Sequence, residues 1–184
     1  MLFSNFVQHG CVLFRDYCFQ REDNVLWEEV VVNNKGNVVV MDRLGNSRDI
    51  SARIDRQMRL MLVHGDIVAE NREKLLKVFN SAENAHGQLI NVIVLSPASM
   101  EGIDLKCVRH VHILEPQWSW AQTEQIIYRA VRRGSHAHLP PAERTVQPHI
   151  YIAFNTLQIE PESLLVRTGK EVQAIGYSTD QIIY

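Results

Sequence analysis

The chain has 184 residues, a formal net charge of −2 at pH 7 and three cysteines. This length allows one domain with a sizeable core. No apolar run approaches the roughly 18 residues that a membrane span needs, so we expect no membrane partner. The cysteines are too few and too scattered for a disulfide framework, which favours a reducing compartment. The small net charge excludes a strongly basic protein, so any contact with nucleic acid must use local patches and backbone donors.

The chain begins inside an apolar stretch, residues 1–4, that predicts a strand, with Asn5 in the turn after it. We expect a chain that begins in this way to be part of a longer protein. A helix is predicted next, because apolar residues recur at helical spacing at Val7, Cys11, Phe14 and Cys18.

Residues 25–42 predict a β-hairpin, since two valine-rich runs flank a turn that contains Gly36. We interpret this hairpin as an insertion into the core topology. It is either a decoration of the sheet edge or a contact surface for nucleic acid or a partner, with Trp27 and Lys35 as candidate contacts. The polar segment from Arg48 to Arg59 predicts a short helix.

Four further apolar segments predict strands, at residues 60–64, 89–95, 108–114 and 149–154. The near-continuous apolar character of residues 89–95 is typical of a central parallel strand that is covered on both faces. Strands that alternate with helices and are joined by right-handed crossovers form a mainly parallel sheet between layers of helices. We therefore predict a three-layer α/β fold.

The segment after the fourth of these strands predicts a helix with defined ends. Ser119 can cap its amino end, with Gln122 three residues on, and Gly134 stands where a left-handed residue would end it.

Gln125, Arg129 and Arg132 follow one another at i, i+4 and i+7 and therefore share one face of this predicted helix. A guanidinium presents a planar fork of donors that matches phosphate oxygens and stays charged at any working pH. The pattern favours a polyphosphate site. The alternative is a helix with solvated arginines that form surface ion pairs.

Two stretches carry a resemblance to a known family. Residues 99–105 (SMEGIDL) resemble motif V of superfamily 2 helicases and translocases, and the Gln125 to Arg132 pattern resembles motif VI, with Tyr128 in place of the motif's glycine. Together with HVHILEPQW at 110–118, the sequence resembles in particular the ATPases of large cytoplasmic DNA viruses. These include the poxvirus-type early transcription factor ATPase subunit, the related nucleoside triphosphate phosphohydrolase, and their asfarvirus and giant-virus relatives.

The resemblance implies a RecA-like lobe, the C-terminal one of two, over residues 1–154, followed by an extension, residues 155–184, that begins a further region of a longer protein. It implies ATP and Mg²⁺ as cofactors. The sequence itself contains no Gly-rich loop with Lys and Thr and no acidic motif placed to hold Mg²⁺. We therefore expect ATP to lie between this lobe and an N-terminal lobe that holds most of the metal, and we expect the isolated chain to be inactive.

The resemblance also implies roles for single residues in the ATP site. Arg132 is the arginine finger on the γ-phosphate, Arg129 is its companion and Gln125 helps to order the cleft. Gly102 and Asp104 of motif V couple this cleft to the nucleic acid, Gly102 by allowing close packing and Asp104 by contacting a ribose or bracing an arginine.

Glu101 belongs to the same motif V segment. It is either part of the coupling machinery or a plain surface acid.

Nucleic acid, either DNA or RNA, is expected across the other rim of the sheet. The polar groups of Asn5, Ser96 and Ser99 suit phosphate oxygens and give contacts that are independent of base sequence. The two serines could instead only satisfy the backbone of their turn. A viral RNA polymerase or transcription factor is a further implied partner, and host cytoplasm or virion is the implied location.

Histidines raise the question of a metal. His110 and His112 share a face of their predicted strand, and His136 and His138 follow. No cysteine or carboxylate stands at ligand spacing from them, so we predict no metal site.

Two other classes of function remain. The chain is alternatively a catalytically inactive module that binds nucleic acid or a transcription partner. It is alternatively an unrelated doubly wound domain for a nucleotide or metabolite, which requires a Gly-rich first turn that residues 4–10 do not supply.

Overall fold

A computed structural model describes residues 1–21, 23, 25–52 and 57–152 of the chain. Its centre is one eight-stranded sheet with the spatial order β4-β3-β2-β5-β6-β1-β7-β8. All neighbouring strands are parallel except the β2–β3 and β3–β4 pairs. The strands are β1 (Leu2–Phe3), β2 (Leu26–Val32), β3 (Val38–Met41), β4 (Ser47–Asp49), β5 (Gln57–Val63), β6 (Val92–Leu95), β7 (His110–Ile113) and β8 (Gln147–Ile150).

Helices lie on both faces of the sheet. A wide turn of π-helix, Val7–Val12, leads into α1. The α-helices are α1 (Leu13–Gln20), α2 (Ala69–Phe79), α3 (Pro97–Met100) and α4 (Trp120–Tyr128), with short 3₁₀ turns at Ala82–Asn84 and Pro141–Glu143. Among the described residues, no helix combines the length and the apolar character needed to cross a bilayer.

Alternate residues of the central strands pack into two separate cores, one on each face of the sheet, because successive side chains of a strand point to opposite faces. Met61, Val63, Ile93 and Leu95 belong to the larger core, which also holds residues of α2 and α4. Leu2, Leu62 and Val94 belong to the smaller core on the other face, beneath Cys11. Burial raises the pKa of the Cys11 thiol to about 11. The predicted three-layer α/β fold with a mainly parallel sheet is confirmed.

The predicted hairpin is present, but β2 is also a full member of the main sheet. Residues 26–29 of β2 pair in parallel with residues 57–60 of β5, and Val32 pairs with Val38 across the hairpin. In the turn, the Asn33 side chain accepts hydrogen bonds from the backbone N–H groups of Lys35 and Asn37, 3.0 Å each. The hairpin therefore extends the edge of the core sheet. A contact with nucleic acid or a partner through Trp27 or Lys35 stays a prediction.

The helix predicted between Arg48 and Arg59 is wrong where the structure describes this segment. Ser47–Asp49 forms β4, and β5 begins at Gln57. The guanidinium of Arg59 is buried and its Nη1 donates to the carbonyl oxygen of Ile50 at 2.6 Å. Pairing in the sheet and the buried contact of Arg59 stabilise strand at the two ends of this segment, although its polar pattern predicted a helix. Residues 53–56 lie outside the described part of the chain.

Four predicted strands are shorter than expected, the first of them, predicted at residues 1–4, spanning only Leu2–Phe3. The strand predicted at 89–95 begins at Val92, because the backbone N–H groups of Leu89 and Ile90 are bound by the side-chain oxygen of Asn84. The strand predicted at 108–114 spans 110–113. The last one runs from 147 to 150, and residues 153–184, including the predicted extension, lie outside the described part.

Candidate functional site

A cleft of about 270 Å³ opens at the carboxyl ends of β1, β6 and β7. Ligands of open parallel sheets bind at this edge, in the crevice beyond the ends of the strands. Asn5 follows β1, Glu101 follows β6 and α3, and Gln125 and Arg129 come from α4, so three neighbouring parts of the sheet edge contribute polar groups to one space.

A larger cavity of about 540 Å³ lies at the same edge, near the ends of β2 and β5. Arg15, Glu29 and His64 are among its lining residues. Burial raises the pKa of the Glu29 carboxyl, and the charge of Arg15 opposes this shift. In the larger cavity Arg15 is already paired with the half-buried Glu29, 3.6 Å away, whereas the smaller cleft combines the amide of Gln125 with the guanidinium of Arg129, and its own carboxylate, Glu101, is exposed. The smaller cleft is therefore the candidate site for a phosphate group.

Helix α4 begins as predicted and ends earlier than predicted. The Ser119 hydroxyl accepts a hydrogen bond from the backbone N–H of Gln122 at 3.4 Å. The helix stops at Tyr128 instead of continuing to Gly134, although Gly134 does have a positive φ of 82°. The reason is a distant contact: the carbonyl of Arg129 accepts from the N–H of Leu105 at 3.2 Å instead of continuing the helical ladder.

The early end of α4 separates the three residues that were predicted to share a helix face. Gln125 and Arg129 line the cleft together. Arg132 lies beyond the helix, where its guanidinium forms an ion pair with the carboxylate of Asp104. Both side chains of this pair are about half exposed, 47% for Arg132 and 60% for Asp104. The prediction of one helical face is therefore wrong for Arg132. The catalytic roles of all three residues stay predictions.

The segment that carries Glu101, Gly102 and Asp104 is held from two sides. Gly102 has a φ of 71°, a left-handed conformation that only glycine adopts without strain. The side chain of Asn80, at the end of α2, donates to the carbonyl of Asp104 and accepts from the N–H of Lys106, 2.8 Å each. The next residue, Leu105, donates to the carbonyl of Arg129 just after α4, so this loop is bonded to the ends of both helices.

Ser96 and Ser99, predicted to contact nucleic acid, are fully buried. The Ser99 hydroxyl accepts from the N–H of Ser96 at 3.0 Å and donates to the carbonyl of Ser96 at 2.8 Å. For Ser99 this is the alternative role, satisfaction of the turn. A direct contact with nucleic acid stays a prediction for both serines and requires the turn to open.

Asn5 is half-buried and lies in the cleft beside Gln125 and Arg129. The expectation that the nucleic-acid contacts lie on a different rim from the arginines is therefore wrong for Asn5. The physical reason is the sheet order: β1, which ends just before Asn5, lies between β6 and β7, the two strands that precede the loop of Glu101 and helix α4.

A hydrogen-bonded group that sequence reasoning missed supports the floor of the cleft. The Glu115 carboxylate accepts from the Ser4 hydroxyl at 2.7 Å and from the backbone N–H of Asn5 at 3.0 Å. Glu115 comes two residues after β7, which is the strand beside β1. Its place after a buried strand was the only signal in the sequence, and the partner residues are more than 100 positions away.

Gly10 packs so closely against Ser4 that residue 10 has no room for a side chain. A Cβ atom at residue 10 would lie 1.7 Å from the Oγ and 2.6 Å from the Cβ of Ser4. We expect Gly10→Ala to lower the free energy of unfolding by about 2 kcal/mol, because Ser4 must leave its contact with Glu115. Urea denaturation measures this loss. In the double variant Ser4→Gly/Gly10→Ala the clash is absent, so its loss should be smaller than the sum of the single losses. Additive losses would contradict the clash.

His136 has a structural role. Its Nε2 lies 2.6 Å from the carbonyl oxygen of Val108 and its Nδ1 lies 2.7 Å from the Ser135 hydroxyl. Because a carbonyl oxygen only accepts, Nε2 carries the proton. The His136 ring thus holds the segment after Gly134 against Val108, just before β7. It is not part of the group formed by His110, His112 and His149.

Taken together, the parallel sheet, the cleft at its carboxyl edge and the arginine and glutamine of α4 define an α/β lobe of the nucleotide-handling class. Comparison with known proteins identifies the family: a profile of the helicase conserved C-terminal domain matches residues 23–134. The chain belongs to this family.

Viral proteins are among its relatives. The termination factor NPH-I homolog of African swine fever virus is 45% identical over 95 residues, which are 52% of this chain and 14% of that protein. The nucleoside triphosphatase I of Choristoneura fumiferana entomopoxvirus is 29% identical over 147 residues, which are 77% of this chain and 23% of that protein. The chain thus spans less than a quarter of either relative.

A solved structure is also similar. It is the crystal structure of the C-terminal part of the Fun30 ATPase domain, with 16% sequence identity and a TM-score of 0.48. The match covers 82% of this chain and 34% of that one.

Proposed function

We propose that this chain is the second lobe of an ATP-dependent nucleic-acid helicase or translocase, and that it completes an ATP site on a first lobe of the same polypeptide. The observation that supports this most is the meeting of Gln125 and Arg129 in one cleft at the carboxyl edge of the sheet, with Arg132 just beyond the end of the same helix. Two guanidiniums and an amide at this edge suit the charge that builds up on a transferred phosphoryl group.

Arg132 is proposed as the arginine finger. Its present partner, Asp104, is itself about half exposed, and ion pairs of this kind stabilise a protein by about 1 kcal/mol or less. A γ-phosphate carries more charge and offers several acceptor oxygens, so it can displace Asp104 at little cost. The pair with Asp104 is then the resting position of the finger, and closure of the two lobes moves it to the nucleotide.

Arg129 and Gln125 are proposed to work from the cleft wall. Arg129 is held at the end of α4, where its carbonyl is bonded to Leu105. Its guanidinium is the companion charge for the phosphates, and the amide of Gln125 orders the space beside it. Glu101 lines the same cleft. It either orients these groups or is a plain surface acid.

Coupling to nucleic acid is proposed to run through the loop of Gly102 and Asp104. This loop is bonded to α2 through Asn80 and to α4 through Leu105, so it responds to movement of the arginine helix. Asn5, at the end of β1 in the same cleft, is the proposed contact for a phosphate oxygen of DNA or RNA. Ser96 and Ser99 contribute directly only if their turn opens.

The proposed cofactors are ATP and Mg²⁺, with the metal held mainly by the first lobe. The relatives are a termination factor homolog and a nucleoside triphosphatase of large DNA viruses. We accordingly propose a role in viral transcription or genome handling, with a viral RNA polymerase or transcription factor as partner and the host cytoplasm or virion as location.

ATP hydrolysis by two forms of the protein tests this proposal. We expect the complete polypeptide, with its first lobe, to hydrolyse ATP at a rate that nucleic acid stimulates. The 184-residue chain alone should show no hydrolysis above background, because it supplies only one side of the site. Hydrolysis by the isolated chain would overturn the half-site proposal, and absence of hydrolysis from both forms would make the chain a binding module.

A further inference from the structure

Three histidines form a cluster on the outer part of the sheet, away from the candidate ATP cleft. His110 and His112 point from β7 to one face, and His149 of β8 pairs in register with His112. One ring nitrogen from each of the three lies within 4.8 Å of the other two. His110 is exposed and the other two are half-buried, so the cluster opens to solvent.

One distance within this histidine cluster equals that between two ligands of a small metal ion, and the other nitrogen pairs lie within 4.8 Å. The Nδ1 of His110 and the Nε2 of His149 are 3.3 Å apart. Zinc binds imidazole nitrogen at about 2.0–2.1 Å in a tetrahedron, which places two ligand atoms about 3.3 Å apart. The Nδ1 of His112 lies 2.9 Å from the Tyr151 hydroxyl, which brings a fourth donor to the cluster.

The imidazole rings of His110, His112 and His149 are stacked. The centroids of His112 and His149 are 4.6 Å apart with an interplanar angle of 8°, and those of His110 and His149 are 5.5 Å apart with an angle of 25°. A common ion requires each ring to rotate about its terminal torsion, which is a soft, broad torsion for histidine. The strands need not move, because the backbone already places the three side chains side by side.

Sequence spacing predicted no metal site because His149 was not expected beside the other two histidines. From the geometry we propose that His110, His112 and His149 form a binding site for a first-row transition-metal ion such as Zn²⁺, with water or the Tyr151 hydroxyl as the fourth ligand. Three imidazoles suit zinc, copper or nickel, whereas Mg²⁺ and Ca²⁺ prefer oxygen ligands. The bound ion links β8, an edge strand, to β7 in the interior of the sheet. Its effect is to stabilise the folded chain, since the ion binds the folded state.

The chain offers a matched pair of variants for the test. His149→Gln removes a ligand, and His138→Gln removes an exposed histidine outside the cluster. Calorimetric titration of the metal-free chain with ZnCl₂ should show one ion bound per chain. In a separate thermal denaturation, the midpoint of unfolding should be higher with Zn²⁺ than without it. We expect His149→Gln to weaken Zn²⁺ binding at least tenfold, as a rough lower limit, and His138→Gln to leave it unchanged.

Cobalt distinguishes this site from binding to a cysteine. The visible spectrum of the Co²⁺-loaded chain should show tetrahedral nitrogen and oxygen ligation without an intense thiolate charge-transfer band. Absence of binding, a thiolate band, or equal affinity in His149→Gln and wild type would each overturn the proposal. If His149→Gln does not fold, as judged by circular dichroism, His110→Gln replaces it, because His110 is exposed.

Discussion

Arg132→Ala should lower nucleic-acid-stimulated ATP hydrolysis by the complete polypeptide more than about a hundredfold, which corresponds to about 2.7 kcal/mol of transition-state stabilisation. The proposed finger contributes its charge mainly in the transition state, so the loss should fall on kcat. The side chain is about half exposed and its ion pair with Asp104 is a surface contact, so stability should change little. Steady-state kinetics at saturating nucleic acid measure the effect.

Arg133→Ala is the matched control for this experiment. Arg133 is the next residue and is also exposed. Its replacement by alanine removes the same charge from the same turn. Turnover of the control should stay within about threefold of wild type if position decides the effect. Unchanged turnover in Arg132→Ala would instead identify the chain as a binding module whose arginines contact solvent or nucleic acid.

Glu28→Ala should lower the free energy of unfolding by about 3–5 kcal/mol. Glu28 is 2% exposed and its carboxylate faces two cations, Arg48 at 2.6 Å and Arg59 at 3.7 Å. Arg59 is also 2% exposed. Removing the carboxylate takes a counter-charge away from a buried guanidinium, and breaking a buried ion pair from one side is costly.

Glu29→Ala is the control for the stability experiment. Glu29 is the adjacent residue of β2, points to the other face of the sheet and lies 3.6 Å from Arg15. Burial raises the pKa of its carboxyl group, so the folded chain gains little from this charge. We expect a loss of about 1 kcal/mol or less by urea denaturation. Equal losses in the two variants would contradict a special role for the buried charge of Arg59.

Local sequence patterns predicted the elements that surround the cleft. The apolar run predicted as a strand at residues 89–95 contains β6, whose carboxyl end borders the cleft, because buried parallel strands need apolar side chains on both faces. Ser119 begins α4 because its hydroxyl satisfies an N–H within three residues of it. Each of these signals acts over a few residues, which is the range over which a sequence pattern is informative.

Contacts between distant residues account for what the sequence did not predict. The end of α4 depends on the hydrogen bond from Leu105 to Arg129, and the place of Arg132 depends on Asp104. Glu115 meets Ser4 across more than 100 positions. Where the structure describes the polar segment from Arg48 to Arg59, its two ends are strand, and the guanidinium of Arg59 lies buried beside the Glu28 carboxylate and the Ile50 carbonyl. Spacing within one element carries no information on such pairs.

The position of Arg132 in the closed, nucleotide-bound protein shows whether it acts as an arginine finger. We would determine the structure of the complete polypeptide with nucleic acid and a transition-state analogue of ATP bound between the lobes. We expect the guanidinium of Arg132 to have left Asp104 and to lie about 3 Å from the group that mimics the γ-phosphate. An Arg132 that stays paired with Asp104, more than about 6 Å from that group and so beyond hydrogen-bond reach, would contradict it.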